Sequence, residues 1–453
     1  MKSRAGKFFT ALRRRPLVWD TVTTTGWSLI GRSAGFLIPF FVAAWFGVSE
    51  DTDAFFFSYG VILFLANIFA PVVEQVVVPY IAEARRDGRD VGRMIGTILS
   101  VSGLGLVILE GALLLVMDPI LGLVTKFDPA TRRLACLLLL ETAPLVILLV
   151  WTGVLIGTLN AYRKFAFPAV SPAFRAVLNL AIIFAFRNSL GVHAIALGYV
   201  AGEAGRMIIL LGIIRRLDLI RIRFGFRPGP GLKDFFRKAS FQAAAMVAIW
   251  LKPIIDRAMA SWLGEGNVSL LYYADRLYII PVTFICSGLM ATTLSHWSSR
   301  YYESSRKTLK NDVNRGIRLV GALTVLITVL LVIAHRPFAR IAFGRGAFPL
   351  GRLAEVQRIW LFYLLGIVPY VIARIYFQAH LVLVNTRFLM VYSFGLNGVG
   401  VLLNWLLMRK FGVAGIALAT TVSYLIAAGG LGYCFYRRLA SSAVDQTSGP
   451  GRA

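Results

Sequence analysis

Charged side chains set in apolar sequence are where chemistry is to be sought in this chain. Arg32, Glu74, Glu110, Glu141, Arg175, Glu203, Arg206, Lys252, Asp256, Arg257, Asp275, Arg276 and Arg374 all stand in otherwise apolar stretches. At the centre of a bilayer each costs at least ~3 kcal/mol unless it is paired or hydrated. Lys252 and Asp256 are four residues apart, share a helix face and can neutralise each other. Glu203 and Arg206, three apart, can do the same. Arg32, Arg276 and Arg374 have no opposite charge at helical spacing; the neighbouring Asp275 is expected to point elsewhere on its helix. Arginines facing a hydrated cleft suit an anion, and a guanidinium fork matches a pyrophosphate well. The competing reading is an arginine that snorkels to the interface or caps the carbonyls of a broken helix.

Other chemistries find no support. The chain has no P-loop, and His193, His296, His335 and His380 are scattered without metal or triad spacing. Cys136, Cys286 and Cys434 lie far apart inside apolar segments and read as small buried apolar side chains. A glycan polymerase or ligase would need a long outer loop with catalytic residues, which this sequence lacks. The expectation is a transporter and not an enzyme, with no cofactor; membrane potential or an unidentified coupling ion supplies the drive.

The elements that hold these charges follow from composition. Apolar residues make up 57% of the chain, mean hydropathy is +0.71, and apolar runs long enough to span a bilayer recur throughout. The fold class is an all-α polytopic membrane protein. Twelve segments are expected, at roughly 22–47, 54–83, 94–117, 134–159, 166–187, 191–214, 237–263, 268–294, 316–335, 356–383, 388–409 and 412–436. The net charge of +26 suggests nucleic acid until its distribution is considered. Basic clusters such as Arg13–Arg15, Arg85–Arg93, Arg215–Arg223 and Arg300–Lys310 occupy alternate connections, the pattern of cytoplasmic loops. Turns such as Glu50-Asp51-Thr52-Asp53 and Gly264-Glu265-Gly266 are acidic or nearly neutral; the turn from His335 to Arg352 is a basic exception on the outer face. Both termini are therefore expected in the cytoplasm. The segment Lys2–Arg15 carries no cleavable signal and is expected to lie on anionic lipid.

The sequence also repeats itself. Ala44-Trp-Phe-Gly47 and Phe55-Phe56 answer to Trp262, Gly264 and Tyr272-Tyr273, and Gly191-Val-His-Ala-Ile-Ala-Leu197 returns as Gly412-Val-Ala-Gly-Ile-Ala-Leu418. Nearly equal offsets of about half the chain indicate two related halves, and transporters so built place their cavity between them. The organisation read here is a basic N-terminus (1–21), a six-helix bundle (22–214), a cytoplasmic linker (215–236), a second six-helix bundle (237–438) and a disordered tail (439–453). Prolines at 39, 71, 79, 168, 172, 253, 281 and 369 fall within apolar segments and are expected to kink them.

These residues carry a family resemblance. Gly31-Arg32-Ser33-Ala34-Gly35-Phe36, Ala44-Trp-Phe-Gly47, Thr52-Asp53-Ala54-Phe55-Phe56 and Val78-Pro79-Tyr80-Ile81-Ala82-Glu83 resemble the opening of the MviN/MurJ lipid II flippases. Asp256-Arg257, Gly266-Asn267-Val268-Ser269 and Tyr272-Tyr273-Ala274-Asp275-Arg276-Leu277 resemble that family's seventh and eighth helices. Gly157-Thr158-Leu159-Asn160 and Phe165–Pro172 match its fourth-to-fifth junction, so the likeness covers nearly the whole chain. The resemblance implies two six-helix bundles, alternating access, a central cationic cavity and undecaprenyl-pyrophosphate-linked glycan as cargo. It places Arg32 and Arg276 at arginine positions important in the family, and Asp53 at its acidic position after the first turn; Arg32, Arg276 and Arg374 are the residues expected at the pyrophosphate. Glu74, Lys252, Asp256, Arg257 and Asp275 are the supporting charges. The expected partners are the glycolipid and membrane lipids, with no nucleic acid, for a monomer working beside cell-wall synthesis proteins in the bacterial inner membrane. The sequence departs from the family pattern at Ile38, Pro39, Ala66 and Ile279, where charges are usual, and shows twelve helices where the family commonly has fourteen. A flippase for O-antigen or exopolysaccharide units, a cation-coupled drug exporter and a non-transporting cell-wall scaffold stand as the alternatives.

Overall fold

The computed structural model describes residues 31, 33–226, 232–303, 306–383 and 385–447. Arg32, the segment Lys2–Arg15 and the Pro228-Gly229-Pro230-Gly231 motif of the linker lie outside the described residues. Among the described residues the fold is all helical, without strands. In chain order the helices are α1 (Ser33–Phe46), α2 (Glu50–Arg86), α3 (Val91–Val124), α4 (Pro129–Thr142), α5 (Pro144–Ala161), α6 (Ala166–Leu190) and α7 (His193–Arg216). They continue with α8 (Leu232–Ser261), α9 (Asn267–Glu303), α10 (Arg306–Phe343), α11 (Leu353–Leu365), α12 (Ile367–Val382), α13 (Thr386–Phe411) and α14 (Val413–Thr447). Ten stretches among them are long and apolar enough to cross a membrane. The short α1 and the more polar α8 occupy the places of the first and seventh expected segments.

Local sequence explains where helices start and stop. Ser49 begins α2 with a reciprocal cap: its Oγ accepts from the Thr52 N–H at 3.3 Å, and its own N–H donates to Thr52 Oγ1 at 2.9 Å. The acids expected in a turn at 50–53 instead form the first helical turn, where negative charge complements the helix dipole. Similarly, the basic stretch from His335 extends α10 to Phe343, with Arg340 in its last turn and the Gly344 N–H bonded to the Arg340 carbonyl at 2.7 Å. Helix α14 runs on to Thr447, past the expected start of the tail, because no glycine or proline intervenes before Gly449-Pro450.

The internal repeat is visible in the backbone. Gly47 and Gly264 end corresponding helices with φ of 68° and 102°. Gly191 and Gly412 end α6 and α13 with nearly the same dihedrals, φ 55°, ψ −136° and φ 59°, ψ −143°. Such left-handed backbone is accessible to glycine at little cost.

The chain forms two compact units, Met1–Trp250 and Leu251–Ala453. In the first, α2 packs on α4 and α5, and α6 packs on α7. Gly153 and Gly157 of α5 admit the α2 backbone, since a Cβ there would lie 2.9 Å from the Ala70 carbonyl and 3.0 Å from that of Glu74. In the second, α14 packs against α11, α12 and α13, and α9 against α11 and α12. Helices α3 and α10 expose Leu115, Leu123, Leu319, Leu326 and Ile333, the surface of a helix that meets lipid.

Candidate functional site

In the first unit, α7 presents two small residues one turn apart toward α6. A Cβ on Gly202 would stand 3.0 Å from the Arg175 carbonyl, and one on Gly198 2.8 Å from Asn179 Oδ1. This close approach brings Arg175 to Glu203. Glu203 is completely buried and accepts from Arg206 Nη1 at 3.3 Å and from Arg175 Nη1 at 3.3 Å. Arg206 Nε donates to Ser171 Oγ at 2.9 Å, and Glu74 of α2 lies within electrostatic reach of Arg206. The expected Glu203–Arg206 pair thus exists but is shared, leaving two guanidiniums on one carboxylate. Asn179, one turn from Arg175, is fully buried with neither amide atom hydrogen-bonded. Gly35 of the resemblance motif faces this group, its ideal Cβ 4.0 Å from Arg175 Nη2. Tyr59 and Tyr199, with rings 4.5 Å apart, lie within reach of the same guanidinium.

The remaining charges of this unit are separate. Asp53 is buried in the first turn of α2. Glu110 is buried in α3, its Oε1 without a hydrogen-bond partner. Glu141 meets His193, whose Nδ1 stands 2.7 Å from Oε1, a contact that the 52-residue separation conceals in the sequence.

In the second unit, Lys252 and Asp256 pair as their spacing implies, with Nζ 2.8 Å from each carboxylate oxygen. Two residues that sequence reasoning missed complete the group. Lys252 Nζ also donates to Thr420 Oγ1 at 3.0 Å, and Asn404 Nδ2 donates to Asp256 Oδ1 at 2.6 Å. Gly400 provides the room, its ideal Cβ only 3.2 Å from Lys252 Cε. A buried asparagine in an apolar helix is the signal that could have found Asn404.

Arg276 differs from expectation. Its Nη2 lies 3.3 Å from Asp275 Oδ2, so the adjacent carboxylate does pair with it. Consecutive residues leave a helix about 100° apart, but the long arginine stem bends back across that angle. The Arg276 guanidinium also covers the Tyr272 ring at 4.6 Å, and buried Arg257 lies 5.7 Å from the same ring. Asp256, Asp275 and Arg257 all lie within electrostatic reach of Tyr363, which stacks on Tyr278 at 5.2 Å. Arg374 lies 5.4 Å from the Phe377 ring and close to Tyr370. Each unit therefore holds paired charges, wholly or partly buried, with tyrosines nearby. Among the described residues, no three His, Cys, Asp or Glu side chains gather closely enough to hold a metal ion.

Comparison with known proteins identifies the family. The "Lipid II flippase MurJ" of Burkholderia cenocepacia is 24% identical over 416 residues, 88% of this chain and 80% of that protein. The "Probable lipid II flippase MurJ" of Thermotoga maritima is 25% identical over 406 residues, 88% of this chain and 81% of its own. Among solved structures, "Lipid II flippase MurJ, inward closed conformation" superposes with a TM-score of 0.75 at 21% identity, covering 92% of this chain and 87% of that one. An inward-facing multidrug MATE transporter of the MOP superfamily gives a TM-score of 0.76 at 13% identity, covering 94% and 99%. At such identities the structures show the fold alone. The family model described as "Lipid II flippase MurJ" matches residues 42–448, nearly the entire chain; the chain belongs to the lipid II flippase MurJ family.

Proposed function

We propose that this chain is a flippase that carries an undecaprenyl-pyrophosphate-linked glycan, lipid II first among the candidates, across the bacterial inner membrane by alternating access. Beyond family membership, one observation carries the reading: Arg175 and Arg206 share the single carboxylate of Glu203. Glu74, within electrostatic reach of Arg206, offsets part of this charge; the remainder is stabilised by water or by an anion. A bundle with this excess of guanidinium favours anionic cargo, and guanidiniums are the groups that grip a pyrophosphate by two parallel hydrogen bonds.

In this scheme Arg32 and Arg276 hold the pyrophosphate, with Arg374 in support. Arg276, restrained by Asp275 and Tyr272, is held ready for the anion and spared a search among rotamers. Asp53, Glu74, Lys252, Asp256 and Arg257 set the surrounding field. The bundles rock about the connection from Arg215 to Arg237, membrane potential or an ion biases the cycle, and both termini stay in the cytoplasm.

The test is lipid II exposure at the outer face of cells whose own flippase is switched off, with and without this chain. Restored exposure identifies lipid II as cargo and Ile38, Pro39 and Ile279 as tolerated. No restoration by protein present in the membrane redirects the assignment to another polyprenyl-linked glycan. If Arg32→Ala combined with Arg276→Ala transports normally, the pyrophosphate does not dock on these arginines.

A further inference from the structure

After α7 the chain does not leave the first unit. The segment 219–226 is extended, and its residues 221–225 lie along α3 in register. A Cβ on Gly92 would fall 2.1 Å from the Arg221 carbonyl, and one on Gly96 2.0 Å from that of Arg223. The Arg223 N–H donates to the Gly92 carbonyl at 3.2 Å, and the Gly225 N–H to Ser100 Oγ at 3.3 Å. Every second residue of the strap thus meets every fourth residue of the helix. Four helical residues rise about 6 Å and two extended residues span about 6.6 Å, so the register holds only for an extended strap. The groove exists because Gly92, Gly96 and Ser100 put the smallest side chains on one face of α3.

The strap descends as it runs. Arg93 is the last charged residue of α3 before an apolar run that reaches Glu110. Ser100 lies seven residues beyond Arg93, about 10 Å further along the axis. The strap therefore passes from the basic rim into the depth at which interfacial segments rest among headgroups and first acyl carbons, about 5–10 Å. Its outward side chains match that position. Arg221 and Arg223 are 85% and 71% exposed; Phe224 and Phe226, just below them, are 65% and 63% exposed. The two arginines line a cavity of roughly 240 Å³ together with Asp90, Tyr162, Leu219 and Ile220. Asp90 is engaged there as the N-cap of α3, accepting from the Arg93 N–H at 3.0 Å, and lies 3.9 Å from Arg223.

We propose that the strap 219–226 is a binding site for an anionic phospholipid, whose phosphodiester sits between the Arg221 and Arg223 guanidiniums while its acyl chains cover Phe224 and Phe226. The two exposed phenylalanines select a lipid over a soluble phosphate, which gains nothing from them. The arginines select an anionic headgroup over a zwitterionic one. Each basic residue at such a surface is worth roughly fivefold in affinity, so losing both costs on the order of twenty-fivefold.

The purified full chain in detergent, titrated with phosphatidylglycerol and with phosphatidylcholine and read by native mass spectrometry, tests the site. Arg221→Gln with Arg223→Gln keeps the backbone contacts and is expected to weaken phosphatidylglycerol binding ~25-fold and phosphatidylcholine little. Phe224→Ser with Phe226→Ser is expected to weaken both lipids. Inorganic phosphate at equal concentration is expected not to displace phosphatidylglycerol; full displacement would assign the site to a free anion and overturn the proposal. Unchanged phosphatidylglycerol binding in the arginine variant overturns it too. Should that variant not fold, a photoactivatable phosphatidylglycerol on the unmodified chain decides: adducts within 219–226 support the site, and their absence there refutes it.

Discussion

Replacing Lys252 by Met takes away the ammonium that faces both oxygens of Asp256 at 2.8 Å and Thr420 Oγ1 at 3.0 Å. The stem is nearly preserved, so the change is one of charge. Asp256 would keep only the Asn404 amide at 2.6 Å, and at 11% side-chain exposure it has little water to turn to. A buried pair deprived of one partner loses about 3–5 kcal/mol, mostly the cost of the charge left behind. If the second unit, Leu251–Ala453, unfolds by itself, each kcal/mol shifts Tm by about 2–4 °C, so a fall of about 6–20 °C is expected. The double variant Lys252→Met with Asp256→Leu should recover most of that loss, because no charge remains to be stranded. Asp256→Asn should be milder than Lys252→Met, since the Lys252 ammonium is somewhat more exposed and can reach for water along its stem. The assay is thermal unfolding in detergent of the wild type, both single variants and the double. A Lys252→Met protein melting with the wild type, or a double variant less stable than either single, would refute this account of the group.

Glu203→Leu strands two guanidiniums at once and should destabilise the first unit by about 3–5 kcal/mol, read as a lower Tm, while Arg175→Met, which leaves Arg206 and Glu203 paired, should cost less. Gly96→Ala forces its methyl onto the Arg223 carbonyl and should lift the strap, at about 1–3 kcal/mol, with faster proteolysis within 219–226; Gly105→Ala, which meets open space, should do neither. The Asp128 carboxyl is held below the ordinary carboxylate range by the Thr131 side chain and the Ala130 N–H, so its cap on α4 stabilises above about pH 4 and fades as the pH falls through the depressed value. Asp128→Ala should therefore lower Tm at pH 7, by an amount that shrinks as the pH is lowered.

Much of this is legible in the sequence. Apolar length gives the helices, and the pairs Lys252–Asp256 and Glu203–Arg206 follow from helical spacing alone, because partners one turn apart are fixed by local geometry. What escaped was the third member of each group. Arg175 reaches Glu203 across 28 residues and Asn404 reaches Asp256 across 148, and those meetings depend on which helices pack together. Asp275 departs from expectation for a different reason: the backbone angle sets where a side chain starts, but side-chain length decides what it reaches. The strap carried a signal, Gly92 and Gly96 followed by Ser100 at four-residue intervals, but it lay beside a proline-glycine stretch that reads as a linker.

The glycines that face charged side chains in the two units bear on how the halves diverged. Trp45 and Trp262 differ by 217, which carries Gly35 onto Lys252; Gly191 and Gly412 differ by 221, which carries Asn179 onto Gly400. In one half the first helix supplies the empty place and its neighbours the ions; in the other, the lysine stands on that helix and the empty place has moved across. Ancestral duplicates can thus trade a charge for a vacancy over a shared helix contact and keep their shape. Aligning the halves to find matching ionic residues would fail here, whereas asking where each half leaves space for one would succeed.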